Sequence, residues 1–320
     1  MNEILEQISK IGIVPVIALD NSEDAAPLAK ALCAGGLPCA EVTFRTAAAE
    51  NSIRIMAEEF PEMLVGAGTV LTTEQVDRAI GAGAKFIVSP GFNPKIVKYC
   101  VDKGITIVPG CANPSDIEQA IEQGLEVVKF FPAEACGGLN MIKAMAAPYS
   151  NMKFMPTGGI GPANLTTYLD FRKIIACGGS WMVSNDLIRS KNFAEITALT
   201  KQAVSSMLGF KLAHVGINME SEAEADSLAD TFEQIFDFKK DPKTSSIFAG
   251  TGFEIMKSPY LGAKGHIAIA TNYIERAIYH LEMRGFQVDM PTAKYDAAQQ
   301  LKAVYLKGNY GGFALHLVQK

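Results

Sequence analysis

Short apolar runs alternate with polar, helix-like stretches along the first two thirds of this chain of 320 residues. The runs begin near Ile13, Cys39, Met63, Lys85, Ile105, Leu125, Lys153 and Lys173. They recur at intervals of roughly 20–28 residues, which is about the length of one strand plus one helix. Strands that are apolar on both faces are typical of a parallel sheet covered by helices. The pattern therefore predicts eight β/α units before residue 209.

Eight such units in so short a segment predict an α/β fold, a small (β/α)₈ TIM barrel, with a helix over residues 1–10 closing its base. A doubly wound open sheet is the alternative, although no GxGxxG motif follows the first strand. The pattern changes after Gly209, where strand-like segments become longer and cysteine disappears. We therefore predict two domains, residues 1–209 and residues 210–320.

The second segment contains two copies of one sequence unit, and each copy consists of a strand, a helix and three further strands. The first copy opens with Leu212–Ile217 and closes with Gly252–Met256, whereas the second opens with Gly265–Ala270 and closes with Gly312–Leu317. This repeat predicts a smaller α+β domain of two βαβββ modules. It holds all four histidines of the chain.

Composition narrows the class of function. Hydrophobic residues make up 48% of the chain, which allows a large core, and the net charge of -5 argues against nucleic acid as a partner. The six cysteines form no CxxC pair and are expected to be reduced thiols of a cytoplasmic protein. The first residues are acidic and Pro15 interrupts the first apolar run, so neither a signal peptide nor a membrane span is expected.

Lys129 lies within the sixth apolar run, Leu125–Ala133. An amine on a buried strand loses hydration, which favours its neutral, nucleophilic form and suits Schiff-base chemistry on a carbonyl. Alternatively, only the stem of Lys129 is buried and its ammonium reaches a carboxylate or water. Glu41 on the second strand would face Lys129 inside a barrel, either to exchange protons with it or as a structural ion-pair partner.

The ends of the predicted strands meet at one rim of a barrel, where active sites are built. Arg45 near the end of the second strand suits a substrate carboxylate, or pairs with the acidic helix that follows. Glycine and hydroxyl residues at Thr157–Gly159 and Gly178–Ser180 can hold a phosphate through backbone N–H groups, or form ordinary turns. Together these residues suggest a substrate with a carbonyl, a carboxylate and a phosphate.

Six motifs in this order resemble one enzyme family over residues 1–209. They are Glu41-Val-Thr-Phe-Arg-Thr46, Val65-Gly-Ala-Gly-Thr-Val70, Ser89-Pro-Gly91, Lys129-Phe-Phe-Pro-Ala-Glu134, Pro156-Thr-Gly-Gly-Ile160 and Gly178-Gly-Ser-Trp181. The family is the 2-keto-3-deoxy-6-phosphogluconate (KDPG) aldolases, also called 4-hydroxy-2-oxoglutarate (KHG) aldolases. The resemblance implies a class I aldolase, an aldehyde-lyase on a trimeric barrel. Its substrate would be a small phosphorylated keto acid of gluconate or galactonate configuration.

The same resemblance implies the roles of individual residues. Lys129 matches the Schiff-base lysine and Glu41 the general acid/base, and no cofactor is implied for this domain. The matching substrate-binding residues are Arg45, Thr69, Pro90, Phe131, Gly158, Gly159 and Ser180. Cleavage of KDPG would release pyruvate and glyceraldehyde 3-phosphate, and cleavage of KHG would release pyruvate and glyoxylate.

Residues 210–320 resemble the vicinal-oxygen-chelate superfamily, which includes glyoxalases and ring-cleaving dioxygenases. The resemblance implies one divalent metal, Zn, Ni or Fe, held by His214, Glu254, His266 and His316. His316 departs from the superfamily, whose fourth position more often holds Glu, and His280 is expected within a helix. A metal-free domain is the alternative.

Two interpretations of the whole chain follow. In the first it is an aldolase whose second domain adds a metal-dependent or ligand-binding accessory function. In the second the barrel is a binding module, and the metal domain carries a glyoxalase- or dioxygenase-like main activity. Neither interpretation involves nucleic acid or a membrane, and both allow a homotrimer or a higher homo-oligomer.

Overall fold

The computed structural model describes residues 1–320, which separate into two units, Met1–Met207 and Leu208–Lys320. In the first unit the strands are β1 Ile13–Ile17, β2 Cys39–Thr43, β3 Leu64–Gly68, β4 Phe86–Val88, β5 Thr106–Val108, β6 Val127–Phe130, β7 Lys153–Pro156 and β8 Cys177–Gly179. Its helices are α1 Glu3–Ile11, α2 Ala25–Ala34, α3 Ala49–Glu59, α4 Thr73–Gly81, α5 Pro94–Asp102, α6 Pro114–Glu122, α7 Gly138–Ala146, α8 Leu165–Leu169, α9 Asn185–Arg189 and α10 Phe193–Leu208.

The strands of the first unit follow one another in a closed order. Six of them pair in parallel in the order β5-β4-β3-β2-β1-β8, and β6 pairs in parallel with β7. Parallel bridges Gly110–Lys129 and Thr157–Gly178 join this pair to its neighbours on both sides. The unit is therefore a curled parallel sheet with a (β/α) barrel-like fold, since an open doubly wound sheet would not pair β1 with β8.

The predicted strand positions agree with the structure except at the last strand. β8 begins at Cys177 rather than near Lys173, because Ile174 belongs to a turn in which its N–H donates to the Phe171 carbonyl at 2.7 Å. The helix expected over residues 1–10 is α1, capped by the Asn2 side chain, which accepts from the Leu5 N–H. The Asn2 amide also donates to Thr106 at the start of β5, so α1 lies at the end of the sheet opposite the rim.

The second unit is mainly one mixed sheet, with both antiparallel and parallel strand pairs. Its elements are β9 Lys211–Asn218, α11 Glu222–Phe236, β10 Lys240–Pro242, β11 Ser246–Ala249, β12 Phe253–Met256, β13 Gly265–Thr271, α12 Ile274–Glu282, β14 Val288–Tyr295, β15 Leu301–Leu306 and β16 Phe313–Gln319. The strand order is β10-β11-β12-β9-β13-β16-β15-β14. The antiparallel pair β9–β13 lies at its centre, with β12 and β16 parallel to their respective neighbours.

Helix α11 covers one face of this sheet. Ala225 and Ala229 of the helix pack on Ile247 and Ile255 of the strands, and all four are buried. Because side chains alternate along a strand, the residues one position away, such as Glu254, point to the opposite face. In neither unit is there a helix with the length and apolar character needed to span a bilayer.

Candidate active site

Lys129 and Glu41 form a buried ion pair inside the first unit. Lys129 lies on β6 and Glu41 on β2, and the Lys129 Nζ atom is 3.2 Å from the Glu41 Oε1 atom. The two side chains are 6% and 0% exposed, so this carboxylate and amine interact with little screening by water. The two residues predicted to be catalytic are therefore brought into direct contact, close enough to exchange a proton.

Each member of the pair keeps a feature that suits chemistry. The second carboxylate oxygen of Glu41 is buried and has no hydrogen-bond partner within the protein. The Lys129 ammonium lies 5.1 Å from the centre of the Phe131 ring, which borders an open cavity. A buried unpaired carboxylate oxygen is costly unless it serves a bound molecule or a water. Phe131 thus lies between the Lys129 amine and the cavity, which Lys129 and Glu41 themselves do not line.

Arg45 and Thr69 lie at the ends of the second and third strands, as expected. The Arg45 Nε atom is 3.4 Å from the Thr69 hydroxyl, and the Arg45 guanidinium is exposed. Thr69 has φ of 54°, a left-handed backbone conformation that residues other than glycine adopt rarely. Such conformations are frequent at functional sites. The hydrogen bond orients the guanidinium at the rim, where it can meet an anion.

A cavity of about 360 Å³ gathers most of the predicted substrate-binding residues. Those that line it are Arg45, Phe131, Gly158, Gly159 and Ser180. Pro90 does not line the cavity. It lies beside Gly110, where an added Cβ atom would overlap the Pro90 carbonyl, and Gly110 bridges to Lys129. Pro90 therefore packs against Gly110, the strand neighbour of Lys129, and not against the cavity.

The turn after β7 needs both of its glycines. Gly158 and Gly159 have φ of 100° and 80°, which favour glycine. A Cβ atom at Gly159 would lie 2.5 Å from the Cγ atom of Glu134, so this side chain fills the space behind the turn. Tyr168 of α8 donates a hydrogen bond to the Glu134 carboxylate, and its ring is buried. Glu134 and Tyr168 thus hold the turn, a role that the sequence motifs alone did not reveal.

The unpaired hydroxyl of Thr157 is a further feature that sequence reasoning did not reveal, although Thr157 belongs to the turn predicted to hold a phosphate. It lines the cavity and is 5% exposed, yet its hydroxyl has no hydrogen-bond partner within the protein. The hydroxyl lies against Gly178 of β8, where an added Cβ atom would overlap it. Buried hydroxyl groups nearly always have a partner, so an unpaired one in a residue that lines a cavity suits a bound molecule or a water. Its position between Pro156 and the two glycines was the only sequence signal.

Comparison with known proteins identifies the family of the first unit. The family model for KDPG and KHG aldolases matches residues 4–199, more than half of the chain. The chain belongs to this family. It is accordingly an aldehyde-lyase, and its barrel is referred to below as the aldolase domain.

The match extends over nearly the whole length of related aldolases. The 2-dehydro-3-deoxy-phosphogluconate aldolase of Haemophilus influenzae is 52% identical over 202 residues, 63% of this chain and 95% of that protein. The aldolase of the same name from Treponema pallidum is 48% identical over 204 residues, 64% of this chain and 97% of that protein.

Two solved structures have the same fold as the aldolase domain. The KDPG aldolase of Legionella pneumophila, solved with pyruvate captured as a covalent carbinolamine, is 37% identical with a TM-score of 0.60, and the match covers 62% of this chain and 97% of that one. The Zymomonas mobilis enzyme, solved with 3-phosphoglycerate, is 41% identical with a TM-score of 0.58, covering 62% and 94%.

The second unit of this aldolase gathers three histidines and a glutamate on one sheet. The Nε2 atoms of His214 and His266 are 3.2 Å apart, and each is 3.1 Å from the Glu254 Oε2 atom. His316 completes the group, since ligand atoms of the three histidines all lie within 4.8 Å of one another. All four predicted metal-binding residues therefore meet at one place, whereas His280 is buried on α12.

The environment of this cluster sets its charge. Burial and the neighbouring His266 and His214 lower the pKa of His316 to about 3, so His316 is neutral at pH 7. Burial acts to raise the pKa of Glu254, but hydrogen bonds from His214, His266 and Ser246 outweigh it and hold that pKa well below its usual range. The cluster therefore offers an ionised carboxylate beside a neutral imidazole.

Three further features shape the cluster. Neither ring nitrogen of the buried His316 has a hydrogen-bond partner within the protein. Gly216 leaves room for the His266 ring, because a Cβ atom at Gly216 would overlap it. The Tyr305 ring stacks on His316 with centres 4.6 Å apart and an angle of 16° between the rings. Tyr305 carried no signal in the sequence, since its contact depends on the pairing of β15 with β16.

Proposed function

We propose that the aldolase domain cleaves KDPG to pyruvate and glyceraldehyde 3-phosphate, and KHG to pyruvate and glyoxylate, through an imine on Lys129. The observation that carries this proposal is the buried contact of 3.2 Å between the Lys129 amine and the Glu41 carboxylate beside the cavity. The carbinolamine named for the Legionella enzyme and the phosphorylated acid named for the Zymomonas enzyme support the same chemistry and ligand class.

In the proposed mechanism Glu41 takes a proton from the Lys129 ammonium, which frees the amine to attack the C2 ketone. Glu41 then returns this proton to the hydroxyl group of the resulting carbinolamine, which leaves as water and gives a protonated imine. The C3–C4 bond then breaks as Glu41 accepts the C4 hydroxyl proton, so that an aldehyde leaves and the bonding electrons form an enamine. Protonation of the enamine at C3 and addition of water to the imine release pyruvate and restore the Lys129 amine.

The two ends of the cavity suit the two anionic ends of KDPG. Arg45, oriented by Thr69, offers a charged fork for the carboxylate next to the ketone. Gly158, Gly159 and Ser180 offer backbone N–H groups and a hydroxyl for the phosphate. The contact of Lys129 with Glu41 also argues against a barrel that only binds ligands, because a binding site has no need of a buried amine–carboxylate pair.

Trapping with borohydride in the presence of pyruvate tests the proposal. Wild-type protein should gain the mass of a reduced pyruvate adduct on a peptide containing Lys129, and Lys129→Ala should lose both the adduct and cleavage activity. Lys153→Ala serves as the control. Lys153 is partly buried on β7, the strand that pairs with β6, but it is the first residue of β7 and lies away from the rim where that strand ends. A pyruvate adduct on another lysine of the wild-type protein would contradict the assignment.

We also propose that residues 210–320 form two βαβββ modules of the vicinal-oxygen-chelate type and hold one divalent metal. The donor atoms fit this: atoms about 2.0–2.1 Å from one zinc ion in a tetrahedral site lie about 3.3 Å apart, close to the spacings among His214, His266 and Glu254. The unpaired, neutral His316 supplies a further ligand atom. Zinc, nickel and iron all accept such a set, and a bound metal would act as a Lewis acid.

Elemental analysis of full-length protein purified without chelator tests the metal site. About one equivalent of metal is expected per chain, and His214→Ala and His266→Ala should each lose it. Aldolase turnover should survive a chelator, because no step of the imine mechanism uses a metal. A chain that takes up no metal even after reconstitution would leave the second unit as a metal-free domain.

A homotrimer or a higher homo-oligomer also remains a proposal for this chain. Apolar side chains on or beside the outer helices of the aldolase domain support it, since Leu71, Val101 and Ile121 are 54%, 39% and 46% exposed. Burial of such side chains between copies would be favourable. Light scattering of the full-length chain, which has a mass of 34.4 kDa, distinguishes a trimer from a monomer.

A further inference from the structure

The turn that follows β7 in the aldolase domain has two backbone N–H groups without partners. The N–H groups of Gly159 and Ile160 have no hydrogen-bond acceptor within the protein, and both residues line the cavity of the candidate active site. Backbone N–H groups beside open space are suitable donors for a phosphate. Whatever orients these two peptide groups therefore decides whether a ligand in the cavity meets donors or acceptors.

The two glycines of the turn do not fix this orientation by themselves. Gly158 and Gly159 have φ of 100° and 80°, and glycine permits more backbone rotation than any other residue. A peptide group is planar, so a rotation that turns its N–H away from the cavity turns its carbonyl oxygen towards it. A carbonyl oxygen repels a phosphate. Each peptide of the turn therefore needs a donor that holds its carbonyl oxygen on the far side.

The main chain after β6 supplies the first of these donors. The Glu134 N–H donates to the Gly158 carbonyl at 3.1 Å. The Gly159 N–H belongs to the same peptide, which is trans, and so it points away from Glu134. No side chain takes part in this bond, so it orients the Gly159 N–H whatever residue stands at position 134.

Asn164 supplies the second donor, and it does so with its side chain. The Asn164 Nδ2 atom donates to the Gly159 carbonyl at 3.0 Å, and its Oδ1 atom accepts from the Gly161 N–H at 2.9 Å. The Gly161 N–H requires the oxygen of the amide, which leaves the amide nitrogen for the Gly159 carbonyl. The Ile160 N–H lies in the same peptide as that carbonyl and is therefore directed away from Asn164.

The place of Asn164 in the chain separates this role from helix capping. Asn164 directly precedes α8, where asparagine commonly caps a helix by accepting a backbone N–H with its side chain. Its side chain makes no such bond to α8. Asn113 has the same place before α6 and does cap its helix, since its Oδ1 atom accepts from the Asp116 N–H at 3.1 Å. Asn164 thus uses both ends of its amide on the turn and neither on its helix.

We propose that Asn164 is a positioning residue for the phosphate end of the substrate, because it fixes the peptide between Gly159 and Ile160 with the N–H towards the phosphate. The inference rests on the phosphate site proposed above. It adds one donor, the Ile160 N–H, and the side chain that orients this donor. Asn164 thereby favours KDPG over KHG, which has no phosphate.

Steady-state kinetics of Asn164→Ala on KDPG and KHG tests the inference. KM for KDPG should rise roughly tenfold, close to the value of one hydrogen bond to a charged group, because the Ile160 N–H loses its direction. On KDPG kcat should change little, since the phosphate is bound alike in the ground state and in the transition state. Both constants for KHG should match wild type, which also shows that the variant is folded.

Asn164→Asp is the second variant. It keeps the shape of the side chain and the acceptor for the Gly161 N–H, but it places a carboxylate oxygen against the Gly159 carbonyl in place of a donor. KM for KDPG should therefore rise more than in Asn164→Ala, again without a change on KHG. A residue that only stabilised the fold would affect the two substrates alike.

Asn113→Ala is the matched control. It removes a helix cap, which should lower the melting temperature, and it should leave both KM values unchanged because Asn113 does not line the cavity. An unchanged KM for KDPG in Asn164→Ala, or equal losses on KDPG and KHG, would overturn the inference and leave the imine mechanism in place. A wild-type protein that traps no pyruvate with borohydride would overturn the proposed function, and the inference with it.

Discussion

No side chain fits at Gly68, because a Cβ atom there would overlap the Glu41 carboxylate and lie 2.7 Å from the Glu41 Cγ atom. Gly68 is the last residue of β3, and its strand partner Thr43 is two residues beyond Glu41. The neighbouring strand therefore leaves the space that Glu41 needs in order to reach Lys129. A residue with no functional group of its own thus controls the geometry of the proposed general base.

Gly68→Ala should lower kcat on the order of 10²-fold, because displacing a catalytic group by about 1 Å can cost that much. KM for KDPG should change less, since the new methyl group presses on Glu41 and not on Arg45. Steady-state kinetics on KDPG measures both quantities. Gly81→Ala in α4 is the control: a Cβ atom there meets nothing within 4 Å, and its kinetics should match wild type. An unchanged kcat in Gly68→Ala would mean that Glu41 acts from another position.

Thr157→Val should separate substrate recognition from stability. The Thr157 hydroxyl is buried without a partner in the protein, so its removal should leave the melting temperature unchanged or slightly higher. If the hydroxyl contacts the substrate, kcat/KM for KDPG should fall roughly tenfold, the value of one hydrogen bond.

Thr43→Val is the matched comparison for that variant, because Thr43 lines the same cavity but donates to the Ile17 carbonyl at 2.8 Å. This variant should lose about 1 kcal/mol of unfolding free energy, since a buried carbonyl loses its donor. A Thr157→Val protein with normal kcat/KM would show that the hydroxyl does not contact the substrate.

Gly159→Ala should affect phosphorylated substrates most. The added methyl group would press on Glu134 and force an unfavourable φ of 80°, which moves the backbone N–H groups of the turn. KM for KDPG should rise far more than KM for KHG, which has no phosphate. Gly161→Ala is the control, since a Cβ atom there meets nothing within 4 Å. Equal losses on both substrates would argue against a phosphate site at this turn.

Much of the aldolase domain could be predicted from sequence because its strands are buried on both faces and stand out as apolar runs. The contact of Lys129 with Glu41 followed from the barrel, which brings β6 and β2 together although they are not neighbours in the sheet. The unpaired hydroxyl of Thr157 could not be predicted, because the sequence does not show which hydroxyl groups lack a hydrogen-bond partner in the folded protein.

The second unit could likewise be predicted from sequence only in part. The four proposed ligand positions were predicted from the resemblance to the vicinal-oxygen-chelate superfamily, and their side chains lie together in the structure. The contact of Tyr305 with His316 did not follow, because it depends on the pairing of β15 with β16, which the sequence alone does not indicate.

In the proposed metal site, Gly216 has a role like that of Gly68 in the aldolase domain. A Cβ atom at Gly216 would overlap the His266 ring, so Gly216→Ala should turn His266 away from Glu254 and His214. Loss of one ligand from a four-residue site should lower metal affinity by at least the 10–100-fold that loss of a supporting contact costs. Metal content by elemental analysis and competition with a chelator measure this. Gly252→Ala, in the same unit and with nothing within 4 Å of its Cβ position, should keep its metal. Because the aldolase mechanism needs no metal, KDPG cleavage should be unchanged in both variants, and a fall in cleavage that follows metal loss would instead tie the two units into one activity.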